Sequence, residues 1–384
     1  MNTISVIVPI FHGKQYINGL IEQVTTAGRL LEKENSIELI LSNDAPDDLL
    51  PEIYGSDRID ILVLNTECNR GIQGARVHGL ENSHGDYILF LDQDDKIEPE
   101  YFKSQLESIG EHDAVVCQVI HENKPFYNSD YPFEWAFNKE FMLQQGCPII
   151  SPGQVLIRRE AVSEVWKNNI IQSNGADDFL LWLCMVGEGK TFARNDKVVF
   201  SHIVKYNNTS WNSAQMLASE EEMRLILKRN HVFQKEDEIL LDNMIQHIYN
   251  KRLKNLDKFR RMFYILSDWM SLKEKGICIS TYLISQGIHN VAIYGVGYLG
   301  KHLIQELKDT EVKISYLIDK NAPWIETEYK AYTLDDELEK VDGVIVTLVQ
   351  DEKVVVEALY EKLDAKIITI MNLIGQVEGA SSPW

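Results

Sequence analysis

No run of about 18 apolar residues, the length a helix needs to cross a hydrocarbon core, occurs in this sequence. Cysteine is scarce: Cys68, Cys117, Cys147, Cys184 and Cys278 are odd in number and form no C-x-x-C pair. That argues against a disulfide framework and against a zinc site, and it suits a reducing compartment, so a cytoplasmic location is expected. Positive charge is also short. Lys and Arg number 38 against 58 Asp and Glu, a net charge of −20. The balance argues against general nucleic-acid binding and against adhesion to anionic lipid through overall charge, while a local basic pocket stays open. The opening "MNTISVIVPIF" has neither a basic leader nor a small-residue cleavage site, so no signal peptide is expected. Internal repeats and low-complexity tracts are absent as well.

What is present is an ordinary globular composition, 45% hydrophobic and 25% charged, over 384 residues, which is long for one core and predicts two domains. The first hundred residues alternate strand and helix. "ISVIVP" reads as a buried strand stopped by Pro9, and Tyr16, Ile17, Leu20, Ile21 and Val24 recur at helical spacing. "SIELILSND", "IDILVLNTE" and "DYILFLDQDD" read as three further strands, with a helix through Ala75 to Leu80 before the last. Such alternation predicts a mostly parallel sheet covered on both faces, with ligands beyond the carboxyl ends of the strands. Residues 214–285 read as nearly all helix, and a second strand–helix alternation begins at "NVAIYG". The expected division is therefore 1–213, 214–285 and 286–384, with the boundary between cores near 270–285.

The most informative stretch is "YILFLDQDDKIEPEYF", residues 87–102, where a buried strand runs into Asp92, Asp94 and Asp95. Three carboxylates in four positions repel one another and resist desolvation. A divalent cation, Mn²⁺ or Mg²⁺, would relieve that conflict; the alternative is an acidic, solvated turn capping the next helix. Asp44 and Asn69 also fall just past strand ends, so they and the Asp cluster should converge on one crevice.

Taken together, "ISVIVPIFHGKQYI", "LILSNDAPDD", "NRGIQGARVHGLENSHGDYILFLDQDDKIEPEYF" and "GADDFLLWL" resemble the motifs of family 2 glycosyltransferases with the GT-A fold, over roughly residues 1–215. The resemblance implies that Asp94 ligates the metal, that Asp92 faces the metal's waters or the donor ribose, and that Asp95 braces the loop. It implies that Asp44 meets the base edge of uracil, with Pro9 and Phe11 flanking the base, although Asn43-Asp44-Ala45-Pro46 departs from the common Asp-Asp-x-Ser form. Asn69, Gly71 and Arg76 match a donor-facing segment. Asp178 takes the place of the general base, with Asp177 where the family commonly has Glu; the other reading of this stretch is a helix cap built from Asn174 and Asp177. Aligned on "NNTS", Lys205 occupies the family's His position and His202 lies three residues earlier, so either could reach the diphosphate or metal.

The last hundred residues contain Gly295-x-Gly297-x-x-Gly300 between a strand and a helix, with Asp319 ending the next strand. That is the context of a dinucleotide fingerprint, with the Asp available to a ribose. Only about four strands follow, and no hydride-transfer constellation accompanies them. A small Rossmann-like binding or assembly module is expected; a vestigial fold and an NAD-dependent sugar-modifying domain are the alternatives.

The expectation is thus an inverting, metal-dependent transferase using a nucleotide-sugar donor, UDP-linked, and a glycan or lipid-linked glycan acceptor. A catalytically silent nucleotide-sugar-binding scaffold is the competing class. Absence of a Gln-x-x-Arg-Trp motif argues against a processive synthase. The aromatic-rich 126–137 segment is a candidate acceptor surface, and peripheral membrane association and homo-oligomerisation stay open.

Overall fold

Thr3–Ile10 is apolar on both faces, with Ile4, Val6, Ile7, Val8 and Ile10 wholly buried, the pattern of a strand covered on both sides. In the computed structural model, which describes residues 2–55, 59–121, 124–203 and 212–381, this strand, β1, lies within a sheet of nine among the described residues. The others are β2 (Ser36–Asn43), β3 (Ile59–Asn65), β4 (Tyr87–Phe90), β5 (Lys96–Ile97), β6 (Ala114–His121), β7 (Lys124–Pro125), β8 (Val155–Arg158) and β9 (Phe192–Ser201). Their order is β3-β2-β1-β4-β8-β6-β9-β5, with β7 beside β6. β3, β2, β1 and β4 run parallel, while β8 is antiparallel to both β4 and β6. Helices α1 (Ile17–Gly28), α2 (Gly71–Glu81), α3 (Tyr101–Ile109), α4 (Lys139–Gln145), α5 (Glu164–Asn168), α6 (Asp177–Gly187), α7 (Ser213–Arg229) and α8 (Lys235–Glu274) accompany the sheet in chain order. The α/β class expected from the alternation is what the chain adopts.

Pro9 does not stop β1. It sits inside the strand opposite Ser42. Ile7 O accepts from Leu91 N on the β4 side, and Ile10 O accepts from Asp44 N on the β2 side. Alternation along a parallel strand then turns Pro9 toward β4, whose pairing with β1 ends at the Ile7–Phe90 step. No ladder bond is lost by its missing N–H. The same divergence of β1 and β4 opens a crevice at their carboxyl ends, where the strand order reverses.

Compact packing divides the chain at Asn250/Lys251, within α8, ahead of the 270–285 position expected. The physical reason is that the last turns of α8 bury Ile265, Trp269 and Leu272 with Ile279 and Leu283 in the C-terminal core. That unit has α9 (Ile279–Ser285), β10 (Asn290–Tyr294), α10 (Tyr298–Leu307), β11 (Lys313–Ile318), β12 (Ala331–Tyr332), β13 (Gly343–Val346), α11 (Glu352–Lys362), β14 (Lys366–Thr369) and α12 (Ile370–Ser381). Its five strands are all parallel in the order β12-β11-β10-β13-β14, which makes it a second α/β unit. Among the described residues no helix is long and apolar enough to cross a membrane.

Candidate active site

At the carboxyl ends of β1, β2 and β4 lies a cavity of about 530 Å³. Pro9, Phe11, Asp44, Asn69, Gly71 and Arg76 line it, together with Asp92, Asp94, Asp177, Asp178 and His202. Residues separated by up to 193 positions in sequence thus face one space, as the strand-end argument requires. Lys205 lies outside the described residues.

The floor of the cavity is ionic. Arg76, 2% exposed on α2, bonds Asp177 through Nη1 and reaches Asp92 Oδ1 at 2.5 Å through Nη2. Burial works against the guanidinium charge, but Asp177, Asp92 and Asp178 outweigh it and push its pKa up. Arg76 is therefore a bracket between the strand-end cluster and the start of α6. Arg76 offsets part of the Asp cluster's repulsion, but burial, with the charges of Asp95 and Asp177, still pushes the pKa of Asp92 up. Asp95 is also engaged: Oδ2 accepts from Ser151 Oγ at 2.7 Å, and Oδ1 accepts from Ile203 N at 3.0 Å and lies 2.9 Å from His202 Nδ1. It braces the loop, as expected.

That last contact bears on a metal. With Nδ1 held against a buried carboxylate, the remaining ring nitrogen of His202 is the one available to a ligand, the arrangement that orients metal-binding histidines. Burial opposes protonation of His202, yet the Asp95 bond and the charges of Asp95, Asp92 and Asp94 prevail and raise its pKa. Among the described residues no group of three or more His, Cys, Asp and Glu side chains converges in a metal-binding geometry. Asp92, Asp94 and His202 line this one cavity and are the donors there that could face a cation. One or two protein ligands suffice where substrate phosphates and waters complete the shell.

Asp178, in the first turn of α6, accepts from Phe179 N at 2.7 Å. Burial, then the charge of Asp177, pushes its pKa up to about 7 against the opposing pull of Arg76. The cap expected as the alternative is not formed. Ala176 holds the N-cap position of α6 with no side-chain bond, and Asn174 instead accepts from Ile72 N at 3.0 Å, tying α6's approach to the start of α2. Gly71 has φ +76°, and a β-carbon there would come 2.9 Å from Asn174 Oδ1. Only glycine suits that turn. Asp44 Oδ1 accepts from Arg70 N at 2.7 Å, while burial raises its pKa overall.

Sequence reasoning missed Gln93 and Ser151, and placed Tyr16, which also lines the cavity, only in a helical pattern. Gln93 Oε1 accepts from Phe11 N at 3.1 Å, latching the loop after β1 to the Asp cluster; its place between Asp92 and Asp94 was the available signal. Ser151 carried none. The 126–137 aromatics pack mainly on one another: Tyr127 and Phe133 are buried and stacked at 4.2 Å, and Trp135 stacks on Phe141 at 4.3 Å.

In the C-terminal unit Gly295 has φ +89°, and a β-carbon on Gly300 would lie 2.0 Å from Gly295 O. Gly297 precedes α10. Asp319, expected to meet a ribose, accepts from Val296 N at 2.8 Å and from Asn321 N at 2.9 Å, so its carboxylate holds the glycine loop.

Residues 5–166 match the family model described as Glycosyl transferase family 2. The N-terminal unit therefore carries a family 2 glycosyltransferase domain. "Putative glycosyltransferase EpsH" of Bacillus subtilis (strain 168) is 31% identical over 123 residues, 31% of this chain and 34% of that protein. "Minor teichoic acid biosynthesis protein GgaB" of the same organism is 30% identical over 110 residues, 28% of this chain and 12% of that protein. The chain thus matches about a third or less of the length of these relatives. Of solved structures, S. aureus TarS 1-349 aligns at 18% identity over 64% of this chain and 71% of that one, with a TM-score of 0.44.

Proposed function

We propose that the N-terminal unit is an inverting, metal-dependent glycosyltransferase. It moves one sugar from a UDP-linked donor to a hydroxyl of a glycan or lipid-linked glycan, in bacterial surface polysaccharide or glycoconjugate synthesis. The observation that carries this reading is the sharing of one cavity by Asp44, Asp94, His202 and Asp178, within a unit whose residues 5–166 match the family. Asp94 and His202 would hold Mn²⁺ or Mg²⁺, whose chemistry is to neutralise the diphosphate and the charge growing on it as it leaves. Asp178 takes the proton of the acceptor hydroxyl while that oxygen attacks the anomeric carbon, and a pKa near neutrality suits a general base. Arg76 bonds Asp177 beside it and ties that carboxylate to Asp92. Asp44 stands for the N3–H of uracil, with Pro9 and the half-exposed Phe11 against the base. For the C-terminal unit the same reading is a Rossmann-like binding or assembly module, its glycine loop held by Asp319. Incubation with a panel of UDP- and GDP-sugars and Mn²⁺, with nucleoside diphosphate release as the readout, tests the function. Release from UDP-sugars alone is expected; tight UDP binding without any release would favour the silent-scaffold class.

A further inference from the structure

Helix α8 carries two apolar faces, and the C-terminal core covers one of them. Ile265, Trp269 and Leu272 are buried in that core. Leu253, Leu256, Phe259, Phe263, Tyr264 and Met270 are not: they are 43–67% exposed. At about 100° per residue these six fall on one arc of about 140°, turned away from the buried side, and from Leu253 to Met270 the arc extends about 25 Å. Contiguous exposed apolar surface of this kind marks an interaction site. Its surroundings identify the partner. Between 251 and 261 stand Lys251, Arg252, Lys254, Lys258, Arg260 and Arg261 against the single acid Asp257, in a chain of net charge −20. A second copy laid on this face would bring like charges together, whereas an anionic surface meets both its charge and its hydrophobicity.

We propose that α8 from Lys251 to Met270 lies in the interface of an anionic lipid bilayer, its apolar arc in the acyl boundary and its basic residues among the headgroups. A basic amphipathic helix with aromatic and leucine side chains on the opposite face binds membranes in this way, in the plane and without spanning. On the same angular scale Arg252 and Arg260 fall within the apolar arc and Arg261 lies near its edge, while Lys251, Lys254 and Lys258 stand on the opposite, polar face; the long stems of the arginines carry their charges out to the headgroups. The acidic remainder of the chain is repelled by such a surface, which restricts contact to this stretch.

Sedimentation of the full chain with vesicles tests the proposal. The protein should bind phosphatidylcholine vesicles containing one-third phosphatidylglycerol, ignore pure phosphatidylcholine, and bind less in about 1 M salt than in about 0.1 M salt. Arg260→Glu with Arg261→Glu should lower partitioning by about twenty-five-fold or more, at about five-fold for each basic residue near the surface. Phe259→Ser with Phe263→Ser should lower it by more than about ten-fold. Both double variants change exposed side chains, so thermal unfolding and donor hydrolysis without vesicles should match the parent. No preference for anionic vesicles, or binding undiminished in both variants, would overturn the proposal. So would a dimer in solution that the Phe259/Phe263 variant converts to monomer, because a second copy would then cover the face.

Discussion

Arg76 Nη2 lies 2.5 Å from Asp92 Oδ1, and Nη1 of the same guanidinium bonds Asp177. One buried cation therefore joins the end of β4 to the start of α6, the two elements on which donor and base chemistry would rest. Replacing Arg76 by Met should leave two carboxylates uncompensated and destabilise the N-terminal unit by about 3–5 kcal/mol. The deficit should shrink as pH falls, because protonation removes the uncompensated charge. Urea unfolding at neutral and acidic pH checks this; a change within about 1 kcal/mol at neutral pH, the size of a surface pair, would show that the bracket is not structural.

Asp178 sets the expected pH dependence. Its carboxyl is pushed up to about 7 by burial and by Asp177, and a base works only when deprotonated. Turnover should rise with pH through about 7 and then level off. The stability sign is opposite: the native group holds its proton more tightly than the unfolded one, so this residue disfavours folding as pH rises from about 4 to about 7. Asp178→Asn should lower turnover by roughly 10²–10⁴-fold with donor affinity nearly unchanged. Collapse of donor affinity instead would make Asp178 a nucleotide or metal contact.

Gly71 should not tolerate alanine. The φ of +76° and the 2.9 Å approach to Asn174 Oδ1 predict a loss of about 1–3 kcal/mol, from strain in a region β-carbons avoid. Because Asn69 and Gly71 line the cavity, UDP affinity should fall as well, measurable by calorimetric titration. Unchanged affinity would remove this turn from the donor site.

Gly300→Ala tests the second unit. A β-carbon 2.0 Å from Gly295 O forces the glycine loop and α10 apart. The C-terminal unit should unfold at lower denaturant while UDP-sugar hydrolysis persists. Loss of hydrolysis from a folded, monodisperse variant would mean that the second unit completes the active site.

Much of this was legible in the sequence, and the failures share a cause. Strand ends, the Asp cluster and the glycine loop are local patterns, and each appears where expected. Pro9 misled because its tolerance depends on where β4 stops pairing, a property of a strand some eighty residues away. Asp92 and Arg76 could not be seen as partners from a helix and a strand considered separately, nor could Asn174 be seen to serve α2 instead of α6. Asp319 accepts from Val296 N, a bond between a strand end and the glycine loop that spacing alone does not reveal. Long-range pairing decides such cases, and composition and spacing do not record it.

The most direct measurement of the central claim is UDP release from UDP-sugars by the full chain, compared with and without Mn²⁺ and between the parent and Asp94→Asn. The account predicts release that a chelator abolishes, and an Asp94→Asn protein that unfolds normally but neither binds UDP with metal nor releases it. Full metal-independent release by Asp94→Asn would contradict the assignment of this cavity.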